Sequence, residues 1–433
     1  MRRQLFLALA AGASLAMMAS ACSSAVPNSA SGGQTTIQIL SNFTPDVARG
    51  KVLEKLISEF NAQNKGKYTV VSKSQPDWPT LQQQIRSSLS AGTPADVFIY
   101  NYNPTDLSRE KSGKLMDWST YLEQDPTWKA RFKAQNLTDL TVGNQTVALP
   151  ADQSPALFYY NKALFKKAEI ASFPTTWPEF FADAQKLKDK NIPAIALQTA
   201  DDAWYAMNAF SYLGVAAGGA DVFKTGSDLN TPAITKAAAD TQKLLTSYAP
   251  KDAVGGNYAA ASADFLGGRA AMVIDGPWLI SSIQGQMKNS SDQIGVAAGP
   301  TSADGNMQAG TIVTDSLNAW GAAKQTDPDK TKAVVAWMKF FTSNSSAADM
   351  AVNGQYPMAV NTTLPASLEA SASPQMASFL RIANSTPAAV VNLQRNVNSS
   401  TQAELPSMLE SLALGRTAPN DFAASLQKSN STK

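Results

Sequence analysis

Residues 35–100 read TTIQILSNFTPDVARGKVLEKLISEFNAQNKGKYTVVSKSQPDWPTLQQQIRSSLSAGTPADVFIY. Three short apolar runs stand out: TTIQIL (35–40), YTVV (68–71) and ADVFIY (95–100). Two stretches with helical spacing separate them. Val52, Leu53, Leu56, Ile57 and Phe60 put one apolar stripe on a helix over 46–62. Leu81, Ile85 and Leu89 do the same for a second helix. Strand, helix, strand, helix, strand predicts an α/β domain with a mostly parallel sheet, because parallel neighbours need a crossover and the helices supply it.

The alternation continues downstream. VALP (147–150) and ALFYYN (156–161) read as strands on either side of a turn, ADQSP. Thr176-Trp177-Pro178-Glu179 has the spacing of a capping box and opens a helix that runs to about Lys190. Helices are predicted near 203–213 and 232–247. AAMVID (270–275) is an apolar strand, followed by a helix starting in GPWLISSI. TIVTDSLNAW (311–320) reads as one long strand, 328–343 as an amphipathic helix, and the chain from about 366 as helical to its end.

Composition closes off several chemistries. The chain has 433 residues, 44% hydrophobic and 16% charged, as expected of a globular protein. It contains no His and a single Cys, Cys22. Ser-His-Asp and Cys-His catalysis, His-ligated zinc, an intrachain disulfide and a CxxC redox pair are thereby excluded. Lys and Arg total 36 against 34 Asp and Glu, which gives no basic excess for nucleic acid. No Rossmann glycine triplet, P-loop or G-x-S-x-G elbow occurs. Any enzyme here would have to work with carboxylates, Lys, Tyr or Ser, and the sequence neither marks nor excludes a carboxylate pair; no metal or cofactor is expected.

The first 21 residues, MRRQLFLALAAGASLAMMASA, have a basic start, an apolar run from Leu5 to Ala19 and small residues before Cys22. The apolar run is too short for a membrane span, and the pattern is that of a cleaved signal peptide. The position of Cys22 resembles the lipobox of bacterial lipoproteins, with Ala19 where Leu is usual, and implies lipidation of Cys22. SSAVPNSASGGQT (23–35) is Gly/Ser-rich and would act as a flexible tether.

Several segments in order carry a wider resemblance: PADVFIYNY (94–102), VALPAD (147–152), FYYNKALFKKAEI (158–170), FPTTWPEFFADAQKL (173–187), FLGGRAAMVIDGPWLISSI (265–283) and NGQYP (353–357). This succession is similar to the family 1 extracellular solute-binding proteins of ABC importers, the maltose-binding-protein type. The resemblance implies a two-lobe periplasmic-binding-protein-like fold of type II, with a ligand cleft between lobes joined by a multi-segment hinge. Crossings are expected near Ala151–Ala156, Gly310–Ser316 and Pro357–Asn361. The chain would then divide into a signal peptide (1–21), lipidated Cys22 and tether (22–35), an N-terminal lobe (36–151 plus 316–357) and a C-terminal lobe (152–315 plus 358–433). The function implied is capture of a carbohydrate at the outer face of the cytoplasmic membrane by a lipid-anchored monomer. The carbohydrate would pass to the transmembrane permease subunits of an ABC importer. Alternatives left open are a non-sugar solute such as a polyamine, and a secreted carbohydrate-active enzyme.

A sugar presents apolar C–H faces to aromatic rings and a rim of hydroxyls to polar groups. Of the eight Trp residues, Trp337 is expected in the core. Trp118, Trp320 and Trp177 are assigned to packing, and Trp128 to packing or surface. Trp78, Trp204 and Trp278 are the ligand candidates, and Trp278 matches the family's position for a sugar-stacking aromatic. Polar candidates come from the loops around them: Asn42, Gln75, Asn101, Tyr102, Asp152, Asn208, Asp275 and Tyr356. Tyr160 matches a family sugar-contact position or packs in the core.

Overall fold

The computed structural model describes residues 34–102, 110–152, 155–287, 291–302, 306–314 and 318–431. The signal segment, Cys22 and nearly all of the tether lie outside the described residues.

The chain opens with β1 (Thr35–Ser41), α1 (Ala48–Gln63), β2 (Tyr68–Ser74), α2 (Trp78–Ala91) and β3 (Val97–Asn101). Short helical turns lead to β4 (Leu149–Pro150), and β5 (Pro155–Asn161) follows. Next come α3 (Trp177–Asp189), α4 (Trp204–Gly218), α5 (Pro232–Lys243) and α6 (Tyr258–Leu266). β6 (Met272–Asp275), α7 (Trp278–Gln286) and β7 (Ile294–Ala297) precede β8 (Ile312–Thr314) and β9 (Asn318–Ala322). The remainder is α8 (Pro328–Phe341), α9 (Asn344–Val352), α10 (Pro374–Ser385), β10 (Ala389–Val391), α11 (Ser399–Ala413) and α12 (Pro419–Ser431).

Two sheets result. The first has the order β2-β1-β3-β9-β4, with β1 parallel to β2 and β3, and β9 antiparallel to β3 and β4. The second has the order β10-β8-β5-β6, with β7 also paired to β5. Each sheet has its own core. Ile37, Ile39, Leu53, Leu81, Ile85 and Phe98 belong to the first, and Leu157, Phe180, Phe210, Ile274, Leu393 and Phe422 to the second. The helical stripes read from the sequence are the buried faces of α1 and α2. The packing tryptophans fall as expected: Trp118, Trp128, Trp320 and Trp337 lie in the first core and Trp177 in the second. Trp128 is fully buried, and its indole donates to Thr342 Oγ1 at 2.9 Å.

Some readings change. The single strand expected over 311–320 is two: Ile312–Thr314 pairs in the second sheet and Asn318–Ala322 in the first. An apolar run reads as one strand whether or not it changes sheet. The helical C-terminal reading is interrupted by β10, whose Ala389–Val391 pairs in parallel with Ile312–Thr314 and forms the sheet's edge. The helix expected over 232–247 is α-helical to Lys243 and then π-helical over Leu244–Tyr248. Of VALP, only Leu149–Pro150 joins a ladder. Met358 and Val360 are buried in the first core, and α10 packs against β7 of the second sheet.

The capping box forms in full. Thr176 Oγ1 accepts from Glu179 N, and the Glu179 carboxylate accepts from Thr176 N. These bonds, with those from Thr175, hold the Glu179 carboxyl below its ordinary range. Thr176→Ala is expected to lower the unfolding free energy by about 1 kcal/mol in urea titrations, with an unchanged denaturant slope.

Candidate ligand-binding cleft

The two lobes face each other across a cavity of about 320 Å³. This lies at the small end of the range for small-molecule sites, roughly 300–1,000 Å³. The first lobe lines it from the C-terminal ends of its parallel strands. Asn42 follows β1 and Asn101 ends β3. Trp78 opens α2, where Asp77 caps the helix by accepting from Thr80 N at 3.0 Å.

The second lobe supplies an aromatic wall. Trp204 emerges from a turn in which Asp201 and Ala203 have φ of 56° and 51°. Non-glycine residues rarely adopt this left-handed backbone, and side-chain bonds fix it here. Asp202 accepts from Trp204 N at 3.2 Å and Asp201 from Tyr258 N at 3.0 Å. Trp278 follows Gly276, where an added Cβ would lie 2.3 Å from the indole ring, so only glycine allows the ring to fold back there. The Trp204 and Trp278 rings are 5.7 Å apart at 48°.

Behind these rings lies Asp275, fully buried at the end of β6. Its carboxylate accepts from Tyr205 OH (2.8 Å), Tyr258 OH (2.9 Å), Trp204 Nε1 (3.1 Å) and Gly276 N (2.8 Å). Trp278 Nε1 donates to Tyr258 OH at 3.0 Å. Burial pushes the Asp275 carboxyl up to about 6 against the pull of these donors. Burial and the neighbouring Asp275 charge raise both tyrosine hydroxyls well above their ordinary range, so they stay protonated.

The opposite end of the cavity is polar. Asp152 accepts from Tyr356 OH at 2.6 Å and from Asn318 Nδ2 at 3.2 Å. Arg49 lies over the Phe43 ring at 5.2 Å. Burial lowers its pKa, opposed by Tyr356, Tyr258 and Asp152. Among the described residues, Arg49 Nε and Asn318 Oδ1 are buried without a hydrogen-bond partner. Arg395 donates from Nη2 to Asn101 Oδ1 at 2.8 Å, from one lobe to the other.

Seven of the residues singled out in the sequence therefore line one cavity: Asn42, Trp78, Asn101, Asp152, Trp204, Trp278 and Tyr356. Four do not. Gln75 accepts from Asp77 N in the loop beside it. Tyr102 is buried in the first core. Asn208 is fully buried and donates back to Trp204 O within its own helix. Asp275 stands behind the aromatic wall. Tyr160 packs on Phe165 and Phe173, away from the cavity. The cavity also takes in Phe43, Arg49, Asp201, Asp202, Tyr258 and Asn318, with Gln394 and Arg395. The Asp-Asp pair two residues before Trp204 was a local clue; Arg49, Asn318 and Arg395 had none, since only the fold brings them in.

A model of the bacterial extracellular solute-binding protein family matches residues 44–348. The chain belongs to this family. One relative is a Brucella abortus (strain 2308) protein described as a binding protein, 29% identical over 282 residues. That match covers 62% of this chain and 64% of the relative, so it spans somewhat under two thirds of the Brucella protein. The maltodextrin-binding protein of Bacillus subtilis (strain 168) is 24% identical over 360 residues, 78% of this chain and 77% of that one. A solved chitin oligosaccharide binding protein shares the fold with a TM-score of 0.80 at 23% identity, over 92% of this chain and all of its own. As a member of the family the chain has the two-lobe fold that its motifs imply.

The raised Asp275 carboxyl gives a signed pH effect. Between its ordinary value and about 6, the folded chain holds a proton that the unfolded chain has released, so this group's contribution to stability grows as pH falls through that window. Compared with Asp275→Asn, which does not titrate, the wild type is expected to gain up to about 3 kcal/mol between pH 7 and pH 4. Paired thermal melts across that range measure it, and a constant difference between the two proteins would contradict it.

Proposed function

We propose that this solute-binding protein captures a carbohydrate in its cleft and delivers it to the permease of an ABC importer. The observation that carries this reading is the aromatic arrangement of the cavity. Trp78 enters from one lobe and the Trp204–Trp278 wedge from the other, with hydrogen-bonding groups between them. Flat rings match the apolar faces of a sugar, and Asn42, Asn101, Arg49 and Asn318 match its hydroxyls. The likeness to a maltodextrin-binding protein supports it. The cavity volume suits a short saccharide better than a long one.

A polyamine is the second reading, because Asp77, Asp152, Asp201 and Asp202 also line the cavity. Each of these carboxylates already accepts a hydrogen bond from its own surroundings, and two arginines share the space. The acidic groups therefore shape loops and connections more than they offer charge to a cation. Binding without turnover is the reading of the site, in keeping with a family of binding proteins.

In this proposal residues 1–21 are removed on export and Cys22 carries the lipid that holds a monomer at the outer face of the cytoplasmic membrane. The N-terminal lobe runs over 36–151 and resumes after residue 315, and the C-terminal lobe holds 152–315 and the end of the chain. Ligand binding closes the lobes, and the closed form is the one the permease receives.

A panel of mono- and oligosaccharides, with polyamines and ferric salts as controls, tests the substrate by thermal shift of the full chain in detergent, since a ligand specific to the folded state raises Tm. One saccharide class is expected to give a saturable shift, and Trp278→Ala to weaken it by at least about thirtyfold, as for a central aromatic anchor. A shift with polyamines alone would sink the carbohydrate assignment. Cys22→Ser is expected to move the protein from the membrane fraction to the soluble fraction of fractionated cells; an unchanged distribution would rule out the lipid anchor.

A further inference from the structure

We propose that Asp275 is a positioning residue: its buried carboxylate sets the two cavity-lining tryptophan rings of the second lobe, Trp204 and Trp278, and takes up their N–H groups directly or through Tyr258, so that ligand meets ring faces and not indole donors. The inference rests on the reading of this cleft as a saccharide site.

The direction of every bond in the cluster follows from the groups themselves. An ionised carboxylate only accepts, an indole N–H only donates, and a tyrosine hydroxyl has one proton to give. Trp204 Nε1 donates directly to Asp275 at 3.1 Å. Trp278 Nε1 donates to the Tyr258 oxygen at 3.0 Å, and the Tyr258 proton goes on to Asp275 at 2.9 Å. Tyr205 and the Gly276 amide complete the acceptor capacity of the carboxylate. Tyr159, which donates to Gly276 O, braces the turn from the other side.

Two consequences follow for recognition. Neither indole has a proton left for a ligand hydroxyl, so discrimination by hydrogen bonding falls to the polar end of the cavity. The angle between the rings is also fixed from behind, by a group that touches no ligand. A carboxylate is required because an amide at this position turns one acceptor into a donor and leaves a hydroxyl or indole proton without a partner. A buried charge of this kind is tolerable only with such a set of donors.

The test uses the full chain in detergent and the saccharide that gives the largest thermal shift. Calorimetric titrations compare wild type, Tyr258→Phe, Trp278→Ala and the double variant. Tyr258→Phe keeps the ring and removes the relay, and is expected to weaken binding about tenfold. The double variant is expected to bind no more weakly than Trp278→Ala alone, because Tyr258 acts through Trp278. Additive losses would mean that Tyr258 meets the ligand by itself and would overturn the proposal. Tryptophan emission and near-ultraviolet circular dichroism without ligand give an independent readout. Both Tyr258→Phe and Asp275→Asn are expected to change these spectra, and the change is expected to vanish when Trp204 and Trp278 are both replaced by Phe. Unchanged spectra in the folded Tyr258→Phe protein would overturn the positioning role. If no saccharide binds the wild type, the carbohydrate reading alone fails, and the ligand-free spectra still decide the role of Asp275.

Discussion

The Asp152 carboxylate is the point on which the geometry of the cleft depends. It lies, almost fully buried, where the chain first leaves the first sheet for the second. A carboxylate in such a place must be hydrogen-bonded or it destabilises the fold. Its donors come from the other two connections between the lobes: Asn318 stands at the return of the chain into the first sheet, and Tyr356 just before the last departure. The backbone of residue 152 also bridges to Met358. Three separate crossings are thus gathered on one side chain. With the crossings side by side, the lobes keep one face toward each other, and that face holds the cavity.

The cavity divides its work between its two ends. Near the crossings it is polar, with the Arg49 guanidinium over Phe43 and an unpartnered Asn318 carbonyl oxygen. At the far wall it is aromatic, and the polar edges of the rings are turned inward to a buried acid. Such a division suits a molecule with hydroxyls on its rim and C–H groups on its faces. It depends on local backbone features that disfavour ordinary sequence: two left-handed non-glycine residues before Trp204 and a glycine pressed against the Trp278 ring. Strain and close approach of this kind are sustained where surrounding bonds enforce them, here the Asp201, Asp202 and Asp275 carboxylates.

Much of this was legible residue by residue. The stripes Leu53-Leu56-Phe60 and Leu81-Ile85-Leu89 had to face a core, because helical periodicity puts them on one side of each helix. The Thr176–Glu179 box is local chemistry and forms wherever the helix forms. Trp204 and Trp278 could be marked because each begins a helix after a strand or turn signal. The failures share a cause. Asn208 sits one turn from Trp204, but which side of a helix buried from Trp204 to Ala216 meets the cavity is decided by the packing around it. Asp275 adjoins Trp278 in sequence, yet strand alternation and the tyrosines above it turn it away from the cavity. The run at 311–320 changes sheets partway, and hydrophobicity has no term for that.

The sequence by itself determined most of the helices and strands, the first α/β unit and, through the order of its motifs, the family and the two-lobe fold that the resemblance implies, because periodicity, capping and motif order are properties of neighbouring residues. It determined also that no histidine, disulfide or cysteine cluster takes part. Only the tertiary structure decided which polar groups converge on the cavity. Arg49, Asn318 and Arg395 come from segments far apart in the chain, and nothing local distinguishes them from surface residues. Their meeting follows from the lobes being discontinuous in sequence: a site built between three crossings and two sheets is defined by distances in space, and those are set when the Asp152 carboxylate finds its donors.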